Sequence, residues 1–250
     1  MAKTASLRFH AELKDFLDRG NTSGTLTRSF DVAPSVKDLI ESSGIPHTEV
    51  ELITINGEPV GFEHRVDDGD LINVYPVFES FDVSPIITVR PDPLRITRFV
   101  ADNHLGKLST YLRLLGFDTA HDTAWDDPEL VRISVRQRRI LITRDVGLLK
   151  RGDLTHGYCV RSADPSEQIV EVIQRFHLER SLRPFTRCMR CNGTLADANK
   201  DDVKANVPPA TFQSVDRYKR CEICGQVFWK GSHHPHLQAI VESVRTPKPE

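Results

Sequence analysis

The chain has 250 residues, 39% hydrophobic and 27% charged, with a formal net charge of −2. This length accommodates one large domain or two to three small ones, and the apolar share excludes a disordered tail. No apolar run approaches the roughly 20 residues that cross a bilayer, and the opening MAKTASLRFHAELKDFL breaks its apolar residues with charges, unlike a secretory signal, so we expect no membrane partner and a cytoplasmic location.

The first elements are short. Ser6-Leu7-Arg8-Phe9-His10 alternates as a half-buried strand does. A helix is predicted from Ser35-Val36-Lys37-Asp38-Leu39-Ile40, after Pro34, with Gly44 as its stop. Glu51-Leu52-Ile53-Thr54-Ile55 runs into Asn56-Gly57, a hairpin signal, because both residues tolerate the positive φ that such turns need. Asp68-Gly69-Asp70 then leads into a last strand, Leu71-Ile72-Asn73-Val74-Tyr75. This order is the plan of a β-grasp domain at residues 1–80. The runs from Pro34 to Ile40, Ile55-Asn56-Gly57-Glu58-Pro59-Val60 and Asp68-Gly69-Asp70 resemble the ThiS/MoaD branch of ubiquitin-like folds. Those carriers end in Gly-Gly, whereas this segment reads Pro76-Val77-Phe78-Glu79-Ser80 and continues, so an interaction or stabilising module with a protein partner is expected instead.

Pro85, Pro91 and Pro93 mark residues 81–93 as a linker. Charge changes sign nearby: residues 1–82 hold 7 Lys/Arg against 15 Asp/Glu, and residues 83–250 hold 26 against 20. A polyanionic partner is therefore expected on the C-terminal part. There, Arg98-Phe99-Val100-Ala101-Asp102 reads as an apolar strand closing on an acid. Leu105, Leu108, Leu112 and Leu115 line one helix face that stops at Gly116. A helix over 127–139, strands at Ile140–Thr143 and Gly157–Val160, and a helix opening at Asp164-Pro165 follow. Strands alternating with helices predict a parallel α/β sheet over 95–180.

Asp102 and Asp145 each follow an apolar strand, and ligand crevices of open parallel sheets lie at the strands' carboxyl ends. Acids converging there would repel unless a divalent cation joined them, and carboxylate oxygens suit Mg²⁺ or Mn²⁺. Such an ion activates water and stabilises charge on a scissile phosphate. Asp102, Asp145 and Asp164 also each precede a predicted helix, where Asp is a favoured N-cap, so capping is the competing reading. Arg144, Lys150 and Arg151 are candidate phosphate contacts or simply solvated cations.

Cys188-Met189-Arg190-Cys191 and Cys221-Glu222-Ile223-Cys224 are two knuckles separated by 29 residues. Four thiolates close a tetrahedral Zn²⁺ site with no open position, a structural role, and the long gap with Pro208-Pro209 predicts an excursion between them. Cys159 reads as core. Beyond the second knuckle, Trp229 and His233 either stack bases and contact phosphates of a nucleic acid or pack and hydrogen-bond locally. The ribbon is placed at 185–235.

Several of these runs together resemble the Mut-seven C-terminal RNase family: Ala101-Asp102-Asn103-His104-Leu105-Gly106-Lys107-Leu108, Leu112-Arg113-Leu114-Leu115-Gly116-Phe117-Asp118, Asp127-Pro128-Glu129-Leu130, the segment from Arg139 to Asp145, and Leu148-Leu149-Lys150-Arg151. The resemblance implies a PIN-like nuclease with an embedded zinc ribbon, in some members preceded by a ubiquitin-like domain. It implies acidic metal ligands at Asp102, Asp127 and Asp145, with Asp126 or Glu129 as alternatives for the middle acid and Asp164 as a fourth by analogy. The expected activity is metal-dependent hydrolysis of RNA. The rival is an RNA-binding module without turnover.

Overall fold

The computed structural model describes residues 2–18, 20–76, 89, 94 and 96–245. The expected linker, 81–93, lies outside the described residues apart from Val89. In chain order the first elements are strands β1 (Lys3–Phe9) and β2 (Thr25–Phe30), helix α1 (Val36–Ser42), and strands β3 (Val50–Ile55), β4 (Glu58–Pro59) and β5 (Leu71–Pro76). Next come β6 (Phe99–Ala101), α2 (Gly106–Leu114), β7 (Thr119–Ala120), α3 (Asp127–Gln137), β8 (Ile140–Thr143), α4 (Val146–Leu149), β9 (Gly157–Cys159) and α5 (Pro165–Arg175). The C-terminal stretch adds β10 (Leu195–Ala198), α6 (Pro209–Ser214), β11 (Tyr218–Cys221), β12 (Val227–Trp229) and α7 (His234–Arg245).

Contacts divide the chain into two compact units, Met1–Ile96 with Asp127–Cys159, and Thr97–Asp126 with Val160–Glu250. The first contains a five-stranded sheet in the order β2-β1-β5-β3-β4. β1 and β5 pair in parallel at its centre, and the other pairings are antiparallel. With α1 across one face, this is the β-grasp arrangement. Ser35 caps α1 by accepting the Asp38 N–H, while Asp38 reaches back to the Ser35 N–H, so two orphan donors are satisfied at once. Val36, Leu39 and Ile40 then pack on Leu7, Phe9, Ile53 and Val74. The β3–β4 turn follows the sequence signal: Asn56 and Gly57 both have positive φ, +54° and +94°.

The same unit holds the parallel pair β8–β9, with α3 and α4 packed on β8. A one-turn 3₁₀ segment, His47–Glu49, meets this part from the β-grasp side. His47 Nε2 bonds the Leu154 carbonyl at 2.9 Å, its Nδ1 lies 2.7 Å from Glu41 Oε1, and Glu49 Oε1 accepts the Cys159 N–H at 2.6 Å. All three residues of the turn are buried.

The second unit carries the parallel pair β6–β7 and helices α2, α5 and α7 packed on one another. Phe99 sits edge-on to Phe117 and Phe176. β10, β11 and β12 form a three-stranded antiparallel ribbon. The mixed α/β class, the N-terminal β-grasp, the parallel pairing in the C-terminal part and the ribbon are thus as expected. The excursion between the knuckles is ordered: a 3₁₀ turn (Asp201–Asn206) and α6 place Val203, Val207, Phe212 and Val215 against Tyr218, Val227 and Trp229. Sequence reading ended the ribbon at 235 and missed α7, whose Ile240, Val241 and Val244 are buried. Among the described residues no helix is long and apolar enough to cross a membrane.

Candidate metal centre and acidic residues

The four knuckle cysteines come together, their sulfur atoms all within 4.8 Å of one another. Cys188 Sγ is 3.7 Å from Cys224 Sγ, and Cys191 Sγ is 3.4 Å from Cys221 Sγ. A tetrahedral zinc with bonds of about 2.3 Å would hold its sulfurs about 3.8 Å apart, so the donor set fits. Local backbone geometry builds both turns alike. Asn192 and Gly225, each the residue after a knuckle's second cysteine, have φ of +68° and +70°. Cys188 N–H donates to Gly193 O at 2.7 Å, and Cys221 N–H to Gln226 O at 2.9 Å. Gly193 must lack a side chain, since a Cβ there would meet Cys221 Sγ at 2.9 Å. Burial pushes the Cys188 thiol up to about 12; a zinc ion bound there would displace that proton.

Behind the first knuckle lies Arg113 of α2, 5% exposed. Its Nε donates to Thr119 O at 2.9 Å, and its Nη1 donates to Met189 O at 3.2 Å and Arg190 O at 3.1 Å. Burial lowers its pKa, and the nearby Cys191 and Cys188 sulfurs oppose that shift more strongly than Asp118 does. Asn192 completes the junction: its Oδ1 accepts the Thr119 N–H at 3.0 Å and its Nδ2 donates to Asp118 at 2.7 Å. In the sequence, Arg113 falls within one of the family-like runs and Asn192 directly after Cys191, and neither is assigned a role there. Neither has a local signal for the junction, because Arg113 reaches Met189 and Arg190, and Asn192 reaches Thr119 and Asp118, across 73 to 77 positions.

The acids fall into two groups. Asp102 and Asp164 belong to one compact unit, Asp127 and Asp145 to the other. Asp102 directly follows the fully buried β6 and is itself 6% exposed. Its side chain does not cap the 3₁₀ turn that follows. Asp145 directly follows β8 and does cap: its Oδ1 accepts from Gly147 N at 2.7 Å and Leu148 N at 3.3 Å. Asp164 caps α5 through Oδ1, accepting from Ser166 N at 2.8 Å and Glu167 N at 3.2 Å. Asp127 opens α3 and is exposed. Glu129 is engaged by Arg132 at 2.7 and 2.5 Å, which holds its carboxyl below the usual range.

Arg144 and Arg151 are exposed, the latter 3.9 Å from Asp153. Lys150 is half-buried, and its Nζ donates to the Glu41 carbonyl at 2.6 Å. Trp229 is half-buried, edge-on to Tyr218 in the ribbon's core, while His233 is exposed beside Ser232.

Residues 97–241 match the family model described as the Mut7-C RNAse domain, and residues 2–82 match the one described as Mut7-C ubiquitin. A putative molybdopterin converting factor, subunit 1, from Pyrococcus furiosus is similar at 16% identity, covering 30% of this chain and 97% of that one, with a TM-score of 0.24. No curated protein matches. With more than half its length in the first match, the chain belongs to the Mut7-C RNAse domain family and carries the Mut7-C ubiquitin domain ahead of it.

Proposed function

We propose that the protein is a metal-dependent ribonuclease that hydrolyses RNA phosphodiesters, with Asp102, Asp127, Asp145 and Asp164 as its acids. The match of residues 97–241 to an RNAse domain carries this reading. The acids suit it chemically. Asp102 is a buried carboxylate at a strand's carboxyl end that is not spent on capping the next turn. Asp145 is held by bonds to Oδ1, which fix the carboxylate where its strand ends. Hard carboxylate oxygens of this kind suit Mg²⁺ or Mn²⁺. When bound, such an ion would lower the pKa of water and offset charge on the phosphate. The exposed guanidinium groups of Arg144 and Arg151 would contact flanking phosphates, with Lys150, Trp229 and His233 as further RNA contacts. The four-cysteine cluster holds a structural zinc. The ubiquitin domain has the nuclease segment 127–159 as its first neighbour in the fold, and a separate protein partner would use its other faces.

The test is Mn²⁺-dependent degradation of RNA by the full chain. Asp102→Asn and Asp145→Asn should abolish turnover while RNA binding persists. Wild-type rates in both variants would sink the proposed acids. A wild-type chain that holds RNA without turnover would favour the binding module.

A further inference from the structure

The four-thiolate cluster poses a charge problem that the ribbon alone does not solve. Zinc with four thiolates carries a net charge of about −2, and Cys188 and Cys221 are buried. Arg190 and Arg220 lie within or beside the knuckles, but both side chains are exposed, where water screens them. Arg187 is half-buried, yet it donates to Gly116 O and Asn192 O and lies 4.0 Å from Asp118. Arg113 has the opposite problem. It is a buried guanidinium whose hydrogen-bond acceptors are the neutral carbonyls of Thr119, Met189 and Arg190. A buried cation needs a counter-charge as well as acceptors. Asp118 is shared among Arg98, Arg187 and Asn192.

We propose that Arg113 is the buried counter-charge of a zinc centre at Cys188, Cys191, Cys221 and Cys224, and that this pairing latches helix α2 of the nuclease domain to the ion. Two of its bonds end on Met189 and Arg190, the residues between the first pair of ligands, so the guanidinium also holds that knuckle's shape. Its third bond ends on β7. α2 begins four residues after Asp102, so zinc occupancy reaches the segment that carries the proposed acid. Arg113 is a positioning residue and touches neither the ion nor RNA. The inference rests on the zinc reading above.

The experiment measures zinc affinity in the full chain by competition with a colorimetric zinc chelator, alongside native mass spectrometry. Loss of an outer-shell partner typically weakens metal binding about 10- to 100-fold, so Arg113→Met should weaken zinc at least about tenfold, while Arg113→Lys, which keeps the charge but not all of the guanidinium's bonds, should weaken it clearly less. Equal weakening in both variants would show that shape rather than charge matters and would overturn the pairing. So would a folded Arg113→Met with wild-type affinity. A wild-type chain without zinc would instead remove the zinc reading itself. Should Arg113→Met not fold, hydrogen exchange of the wild-type chain after chelation decides. Amides of α2 and β7 should lose protection with the knuckles while α5 keeps its own. Unchanged protection in α2, or loss spread equally over α5, would overturn the latch.

Discussion

Glu49, in a single turn of the β-grasp part, accepts the backbone N–H of Cys159, 110 residues later, through Oε1 at 2.6 Å. The carboxylate is 1% exposed, so this bond is made away from water. Removing the acceptor strands a buried donor, which costs about 1–3 kcal/mol. Glu49→Ala should therefore lower unfolding free energy in urea by that amount. Glu49→Gln, which still offers a carbonyl oxygen, should lose less. Equal stability of Glu49→Ala and wild type would mean that water replaces the bond.

Asp126, Asp127 and Glu129 are the candidates for the middle acid, and the surroundings of the last two separate them. Glu129 is already paired with Arg132, while Asp127 is exposed at the start of α3. Asp127→Asn should cut Mn²⁺-dependent RNA cleavage by at least about tenfold. Glu129→Gln should leave it within about twofold, because an exposed ion pair contributes little. The reverse pattern would reassign the role to Glu129.

Native mass spectrometry should find about one zinc per chain, lost in Cys188→Ser. Thermal unfolding in a strong chelator should begin at lower temperature than in zinc, since an ion bound only by the folded knuckles would add folding free energy. Identical melting with and without chelator would leave the knuckles without a structural ion.

Gly116 has φ of +98°, and a Cβ there would clash with the Arg183 carbonyl oxygen. Gly116→Ala should cost on the order of 1–3 kcal/mol, through backbone strain and a clash with an atom that cannot rotate away. Gly152→Ala, where nothing lies within 4 Å, is the control. Equal melting temperatures for the two variants would refute the account.

Signals confined to a few residues were readable in the sequence. The Asn56-Gly57 turn, the Gly44 and Gly116 stops, the strand Ile140–Thr143 and both knuckles need only local geometry. The ambiguity at the acids was also legible, and the structure divides it: Asp145 and Asp164 cap helices, whereas Asp102 does not cap its turn. Strand β7, two residues long, has no room for a period. α7 carries a helical pattern, Ile240, Val241 and Val244, but it lies past 235, where the sequence analysis ends the ribbon. Lys150 looked like any surface cation, since only the fold brings the Glu41 carbonyl to it. Arg113 was hidden for the same reason.

The chain passes between its two compact units three times, after Ile96, after Asp126 and after Cys159. Synthesis proceeds from the N-terminus at about 5–20 residues per second. The β-grasp sheet is complete once Pro76 has emerged, but the unit that contains it cannot close until Cys159 follows. The stretch Thr97–Asp126 waits longer still, because every other part of its unit lies beyond residue 159. During that interval the apolar face of α2 and its C-cap, Leu108, Leu112 and Leu115, is on a nascent chain whose packing partners α5 and α7 do not yet exist. Chaperone capture of the growing polypeptide would fall in this window.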